Sequence, residues 1–272
     1  MDPLTMCGLM FLGCGAGVIG SLFGLGGGII FVPILTLVFG LAPAEAVAVS
    51  LIGIIAGSVG ASTVYVDKGL SNVRLGLLLE ITTATGAIIG ALIATIMEDW
   101  MLLLLMALIV IYSAIRMIIN PERIVEPSDD AEGMMVFEYP GDSGTVRYEV
   151  QNVKGGMALC TLAGMASSMT GIGGGAIKVP LMNIYMRIPI RAVSATSSYM
   201  IGITAFSGAI TYLLAGQVLL DYAAFVAIGS FIGAFTGIAI SRKISAKHLR
   251  KYFSIVLFFM AGMVLLQVGG VI

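Results

Sequence analysis

Gly24-Leu25-Gly26-Gly27-Gly28-Ile29-Ile30-Phe31-Val32-Pro33 recurs as Gly171-Ile172-Gly173-Gly174-Gly175-Ala176-Ile177-Lys178-Val179-Pro180, at an offset of 147. Each run lies inside an apolar stretch, 4–40 and 155–187, too long for one membrane helix and too short for two full ones. Glycine weakens a helix and proline removes a backbone donor. Each stretch is therefore expected to be a helix, a non-helical glycine turn and a shorter returning half-helix. Pro33 and Pro180 are the structural marks of the two returning halves.

The surrounding composition places these hairpins in a bilayer. Of 272 residues 58% are hydrophobic and only 11% charged, against about 25% charged in a soluble domain. The mean hydropathy is +1.05. An ordinary soluble enzyme, a disordered chain and a nucleic-acid binder are excluded, and with a net charge of −1 there is no basic surface for nucleic acid. Spans of about 20 apolar residues are expected near 46–64, 74–96, 100–119, 192–214, 219–241 and 251–270. The start, Met1-Asp2-Pro3, lacks the positive stretch of a cleavable leader.

Beyond the glycine runs, the halves match at Ala46-Val47 and Ala192-Val193, with Ser50 answering Thr196. Tyr65 and Gly69 answer Tyr212 and Gly216, and Gly86 and Gly90 answer Gly229 and Gly233. This reads as a duplicated unit, the usual origin of transporter folds. The expected division is a first membrane repeat at 1–119, an acidic linker at 120–153 and a second repeat at 154–272. Within the linker, Met134–Tyr139 and Thr145–Val150 read as two strands of a small β-hairpin. A lone hairpin is marginal in water, so this one is expected to pack on a neighbour, a second subunit of a homo-oligomer being one candidate.

Basic residues collect on the cytoplasmic side. Arg242, Lys243, Lys247, Arg250 and Lys251 place that loop inside, and counting back puts Arg187, Arg191, the linker, Arg74 and Lys68 inside as well. Of the 14 basic residues, Lys178 alone then falls within the membrane. The reading is an all-α polytopic protein of the plasma membrane with a cytoplasmic linker and both termini outside. Each repeat holds a re-entrant glycine hairpin and three spans, and the two repeats are inverted. The rival, eight simple spans with parallel repeats, is disfavoured by the charges.

Irregular backbone at membrane depth is tolerated where it lines a cavity or is buried in protein. Two glycine turns near the midplane would present free N–H groups at the positive ends of half-helices. Gly26, Gly27, Gly28, Gly173, Gly174 and Gly175 are thus candidate binders of a small anion, with Lys178 as its counter-charge. A charge at that depth costs about 2.5 kcal/mol or more; the alternatives for Lys178 are snorkelling or pairing with a buried carboxylate. Glu80 is the one carboxylate well inside an expected span. It is a candidate for proton coupling, a partner for Lys178, or an interfacial residue paired with Arg74. Ser194 and Ser197, in the run Ser194 to Tyr199, either bind substrate oxygens or join helices. Cys7, Cys14, Cys160 and His248 have no metal-ligand spacing, and neither a metal nor a cofactor is expected. No catalytic constellation is recognisable, so the chain is not read as an enzyme.

The duplicated Gly-x-Gly-Gly-Gly-x-x-x-Val-Pro element, with Gly20 and Gly24 before its first copy, resembles the TauE/SafE family of membrane permeases. The resemblance covers nearly the whole chain apart from the linker. It implies transport of a small sulfur-containing anion, such as sulfite, thiosulfate or an organosulfonate; the mechanism expected from the paired repeats is alternating access. An anion channel, or a carrier of another small organic anion on the same scaffold, is the alternative.

Overall fold

In the computed structural model, which describes residues 1–119, 136–141, 144–241, 244 and 246–268, the chain is almost wholly helical. Helices α1 (Pro3–Phe23), α2 (Gly28–Leu37), α3 (Pro43–Asp67), α4 (Val73–Ala94) and α5 (Asp99–Ile119) form the first half. After strands β1 (Val136–Gly141) and β2 (Gly144–Glu149) come α6 (Val153–Thr170), α7 (Gly175–Pro180), α8 (Ile190–Leu214), α9 (Leu220–Ser241) and α10 (Ala246–Val268). Among the described residues six helices are long and apolar enough to cross a membrane: α1, α3, α4, α5 through Arg116, α8 and α9.

Both glycine runs form the expected helix–turn–helix. Gly24, Gly26 and Gly27 have φ of 70°, 75° and 85°; Gly171, Gly173 and Gly174 have 68°, 80° and 79°. These left-handed values favour glycine. The returning segments differ after their prolines. In α2 the helix continues beyond Pro33, with Thr36 Oγ1 donating to the carbonyls of Val32 and Pro33. After Pro180, which cannot donate to the carbonyl four residues back, the chain widens into a π turn, Leu181–Tyr185.

Packing obeys one rule in both halves. α1 lies along α9 in the same direction, with Met10, Cys14 and Val18 backbone against Gly229, Gly233 and Gly237. α6 lies along α4 likewise, with Thr161 and Met165 backbone against Gly86 and Gly90. Close approach of this kind needs residues without side chains. At the constant offset of 147, Gly86 answers Gly233 and Gly90 answers Gly237. The sequence pairing of those glycines with Gly229 and Gly233 is thus four residues off, one helical turn, because a four-residue glycine spacing matches itself after one turn. α3 and α8 cross with opposite directions: Leu51 meets Gly208, Ser58 meets Ser198 and Gly202, and Tyr65 and Ala61 cluster with Ala195.

The β-hairpin runs in antiparallel register, Phe137 opposite Tyr148 and Tyr139 opposite Val146. It packs on its own chain, so no second subunit is needed to hold it. Tyr139, Tyr148 and Val150 join the main core, and Asn72 Nδ2 donates to the Tyr148 hydroxyl (3.3 Å). Burial pushes the Tyr148 phenol up to about 12, against the Asn72 hydrogen bond that lowers it. The acidic residues from Glu122 to Glu132, and Asp142, lie outside the described residues.

Candidate functional site

The two glycine turns meet. A Cβ at Gly28 would overlap the Gly171 carbonyl oxygen, and one at Gly175 would overlap Gly24 and Leu25 backbone. These glycines serve turn-to-turn contact, so in this conformation no room for an anion lies between the turns themselves. Ile54 and Ile201, also 147 apart, close over Gly26 and Gly173.

Hydroxyls fix the turns from outside. Ser50 Oγ donates to the Gly171 carbonyl (2.7 Å) and Ser197 Oγ to the Gly24 carbonyl (2.8 Å). Ser50 therefore answers Ser197, one place beyond the Thr196 of the sequence match. Thr196 instead accepts from the Asn72 backbone N–H (2.9 Å) at the start of α4. Ser197 has spent its hydrogen on the turn, which favours the joining role weighed for it. Ser194 is buried against Gly24 with its Oγ unpartnered among the described residues.

Beside the second turn, α4, α7 and α8 bring three polar side chains together. Lys178 is fully buried and Glu80 is 3% exposed. Lys178 Nζ donates to Glu80 Oε2 (3.2 Å) and to Thr204 Oγ1 (2.5 Å); Thr204 Oγ1 donates to Glu80 Oε1 (2.5 Å). Of the alternatives for Lys178, the structure selects pairing with a buried carboxylate. Glu80, seven residues into α4 and so about 10 Å from its start, faces Lys178 rather than Arg74, which is exposed.

Further buried hydroxyls lie on α6 and α4. Ser167 and Ser168 on α6 are buried, and their hydroxyls have no hydrogen-bond partner among the described residues. Ser167 stands against Gly174, whose missing side chain also leaves room for the Lys178 stem. Thr83 sits one turn beyond Glu80, its hydroxyl bonded to the Leu79 carbonyl (2.7 Å).

The matching place in the first half is uncharged. Phe31 stands where Lys178 does, Gly57 where Thr204 does and Ala227 where Glu80 does, at the same offset of 147. Phe31 is fully buried and packs against Gly27 and Gly53. At Gly57 a Cβ would overlap the Ser230 hydroxyl, so the place that Thr204 fills in the second half is taken here by Ser230 of α9, and a cavity of about 10 Å³ lined by Gly17, Ser21, Gly57 and Ser58 among others lies nearby.

Sequence reading found Lys178 and Glu80 but missed Thr204, Ser167 and Ser168. Thr204 lies seven residues after Ser197, two turns along one face of α8. That spacing was the available signal, obscured because hydroxyls are common in apolar helices.

The chain matches the family model described as "Sulfite exporter TauE/SafE" over residues 9–264. A Bacillus subtilis protein named "Probable membrane transporter protein YunE" is 27% identical over 92% of this chain and 93% of its own length. A Methanocaldococcus jannaschii protein whose name likewise reads "Probable membrane transporter protein" is 28% identical over 92% and 91%. "Sulfite exporter TauE/SafE family protein 5" of Arabidopsis thaliana is 38% identical over 24% of this chain and 14% of its own length. No solved structure matches the chain significantly.

Proposed function

The chain belongs to the TauE/SafE family and is a multi-pass membrane transporter, and from that premise we propose that it carries a small sulfur-containing anion, such as sulfite, thiosulfate or an organosulfonate, past the buried Lys178. The observation that carries this reading is the fully buried ammonium where the glycine turns cross. Among the described residues its charged partner is Glu80, and the unpartnered Ser167 hydroxyl, which could serve an anion oxygen, stands against Gly174 as the Lys178 stem does. A sulfonate or sulfite presents three oxygens to be met by donors, and charge-assisted hydrogen bonds are the strong ones. Ser167, Ser168 and Ser194, with first-turn amides of the half-helices at Gly26–Gly28 and Gly173–Gly175, are the donors available once the turns part.

The mechanism in this reading is alternating access between two inverted repeats, each a re-entrant glycine hairpin and three spans, with the linker and its hairpin cytoplasmic. Inversion draws support from α3 and α8. They are equivalent in the repeat yet cross in opposite directions, as a two-fold axis lying in the membrane plane requires. Alternating access draws support from burial: a site closed by Ile54, Ile201 and the turns must open to load.

The test is transport into proteoliposomes of labelled thiosulfate, sulfite, sulfoacetate and taurine, with acetate and phosphate as controls. Uptake of a sulfur anion by wild type, abolished in Lys178→Met, is expected. Uptake of none of them, or unchanged uptake in the variant, would overturn the assignment.

A further inference from the structure

The Lys178 ammonium already has a counter-ion. Glu80 Oε2 lies 3.2 Å away, and Thr204 bridges the other carboxylate oxygen to the same nitrogen. The pair is sealed, Lys178 at 0% and Glu80 at 3% exposure. Lysine and carboxylate together are neutral. An anion arriving beside an ionised Glu80 would leave one uncompensated negative charge in a site buried from solvent, which is strongly unfavourable.

We propose that Glu80 and the transported anion are alternative counter-ions of Lys178, so that the site takes up one proton with each anion it loads. This rests on the anion-transport reading above. In the loading step a proton from bulk water bonds to a Glu80 carboxylate oxygen. The Lys178 hydrogen bond to that oxygen breaks, and the ammonium turns to the incoming anion. On release the anion leaves, the Glu80 O–H bond breaks, the proton returns to water on the far side, and the ion pair re-forms. The site is neutral in both states, so a monovalent anion crosses with its proton without moving net charge. The stoichiometry is one, because Phe31, Gly57 and Ala227 take the equivalent places in the first half.

The groups facing Glu80 are few. α7 contributes Lys178, α8 contributes Thr204, and α6 contributes the buried thiol of Cys160, which interacts with both members of the pair. Thr83 follows on α4 itself. Among the described residues Cys160 is thus the other titratable side chain to be controlled for, and Cys160→Ala serves that purpose.

The experiment counts protons. Purified protein in weakly buffered detergent solution with a pH-sensitive dye receives methanesulfonate or isethionate, monovalent anions neither of which titrates near neutrality, and binding is followed in parallel by calorimetry. Expected for wild type and for Cys160→Ala is close to one proton taken up per anion bound, and an affinity falling about tenfold per pH unit once Glu80 is ionised. Expected for Glu80→Gln is binding with no proton uptake and no pH dependence. Anion binding by wild type without proton uptake overturns this inference while leaving the transport reading standing, and so does a full proton taken up by Glu80→Gln. Failure of wild type to bind either anion overturns the transport reading and this inference with it. The wild-type count decides the question without any variant, should Glu80→Gln not fold.

Discussion

Ser50 and Ser197 make the same hydrogen bond from equivalent places, each donating its hydroxyl hydrogen to the first carbonyl of the opposite half's glycine turn, Gly171 and Gly24 (2.7 and 2.8 Å). Tyr65 and Tyr212 form a second matched pair, each within its own half, donating to the carbonyls of Ser21 and Ser168 at 2.9 Å each. Four bonds thus recur at one offset of 147, and the serine pair ties one half to the other. Lys178, Glu80 and Thr204 break this two-fold frame. The frame supports the turns, and the exception is where the one buried ion pair among the described residues lies.

Ser50→Ala and Ser197→Ala should each destabilise the protein by about 1–3 kcal/mol, the cost of an orphaned buried carbonyl. Thermal unfolding in detergent measures both. A loss in one variant and none in the other would refute the equivalence of the two clamps.

Gly28→Ala and Gly175→Ala should be far more damaging than Gly15→Ala. At the first two a Cβ would overlap backbone of the opposite turn, which cannot move aside alone, whereas at Gly15 nothing lies within 4 Å. Gly15 sits within α1, where alanine is favoured by about 0.5–1 kcal/mol. Yield of folded protein by size-exclusion chromatography separates the cases; equal yields would mean that the turns do not touch.

Lys178→Met alone should cost about 3–5 kcal/mol by leaving a carboxylate buried without its partner. The double variant Lys178→Met/Glu80→Gln should recover most of that loss and still not transport. Unfolding midpoints and uptake assays together test this. A double variant as unstable as the single one would show that the pair is not the source of the loss.

Asn72 joins three elements: its Oδ1 caps α4 at the Leu75 N–H (3.0 Å), its Nδ2 holds Tyr148, and its backbone N–H holds Thr196. Asn72→Ala should cost about 1 kcal/mol for the cap and loosen the hairpin. Protease cleavage within 136–149 should rise, with α8 cleavage unchanged. Cleavage equal to wild type would show that the Asn72 bond does not hold the hairpin.

The Tyr148 phenol, pushed up to about 12 from its ordinary value near 10, gives that contact a pH dependence. The folded pKa is the higher one, so the neutral form is favoured by folding. The stabilisation is full below pH 10 and is lost as pH rises from about 10 to about 12. Hairpin proteolysis should increase over that window and lose its pH dependence in Tyr148→Phe.

Sequence by itself determined the membrane class, five of the six helices long and apolar enough to span, the two glycine turns and the repeated motif, whereas α1, the sixth, was read as half of a hairpin. These follow from apolar run length and from residues whose backbone limits are local, such as Gly26, Gly173, Pro33 and Pro180. Ser50 was matched to Thr196, and Gly86 to Gly229, because small and hydroxyl residues recur at helical spacing and align almost equally well in neighbouring registers. Only the tertiary structure decided between those registers, because each backbone approach admits one spacing. It also decided what the sequence left open for Lys178 and Glu80. These residues are 98 positions apart, and nothing local relates them. The parallel packing of α4 on α6 and α8, with α7 folded back beside them, is what brings a lone ammonium to a lone carboxylate.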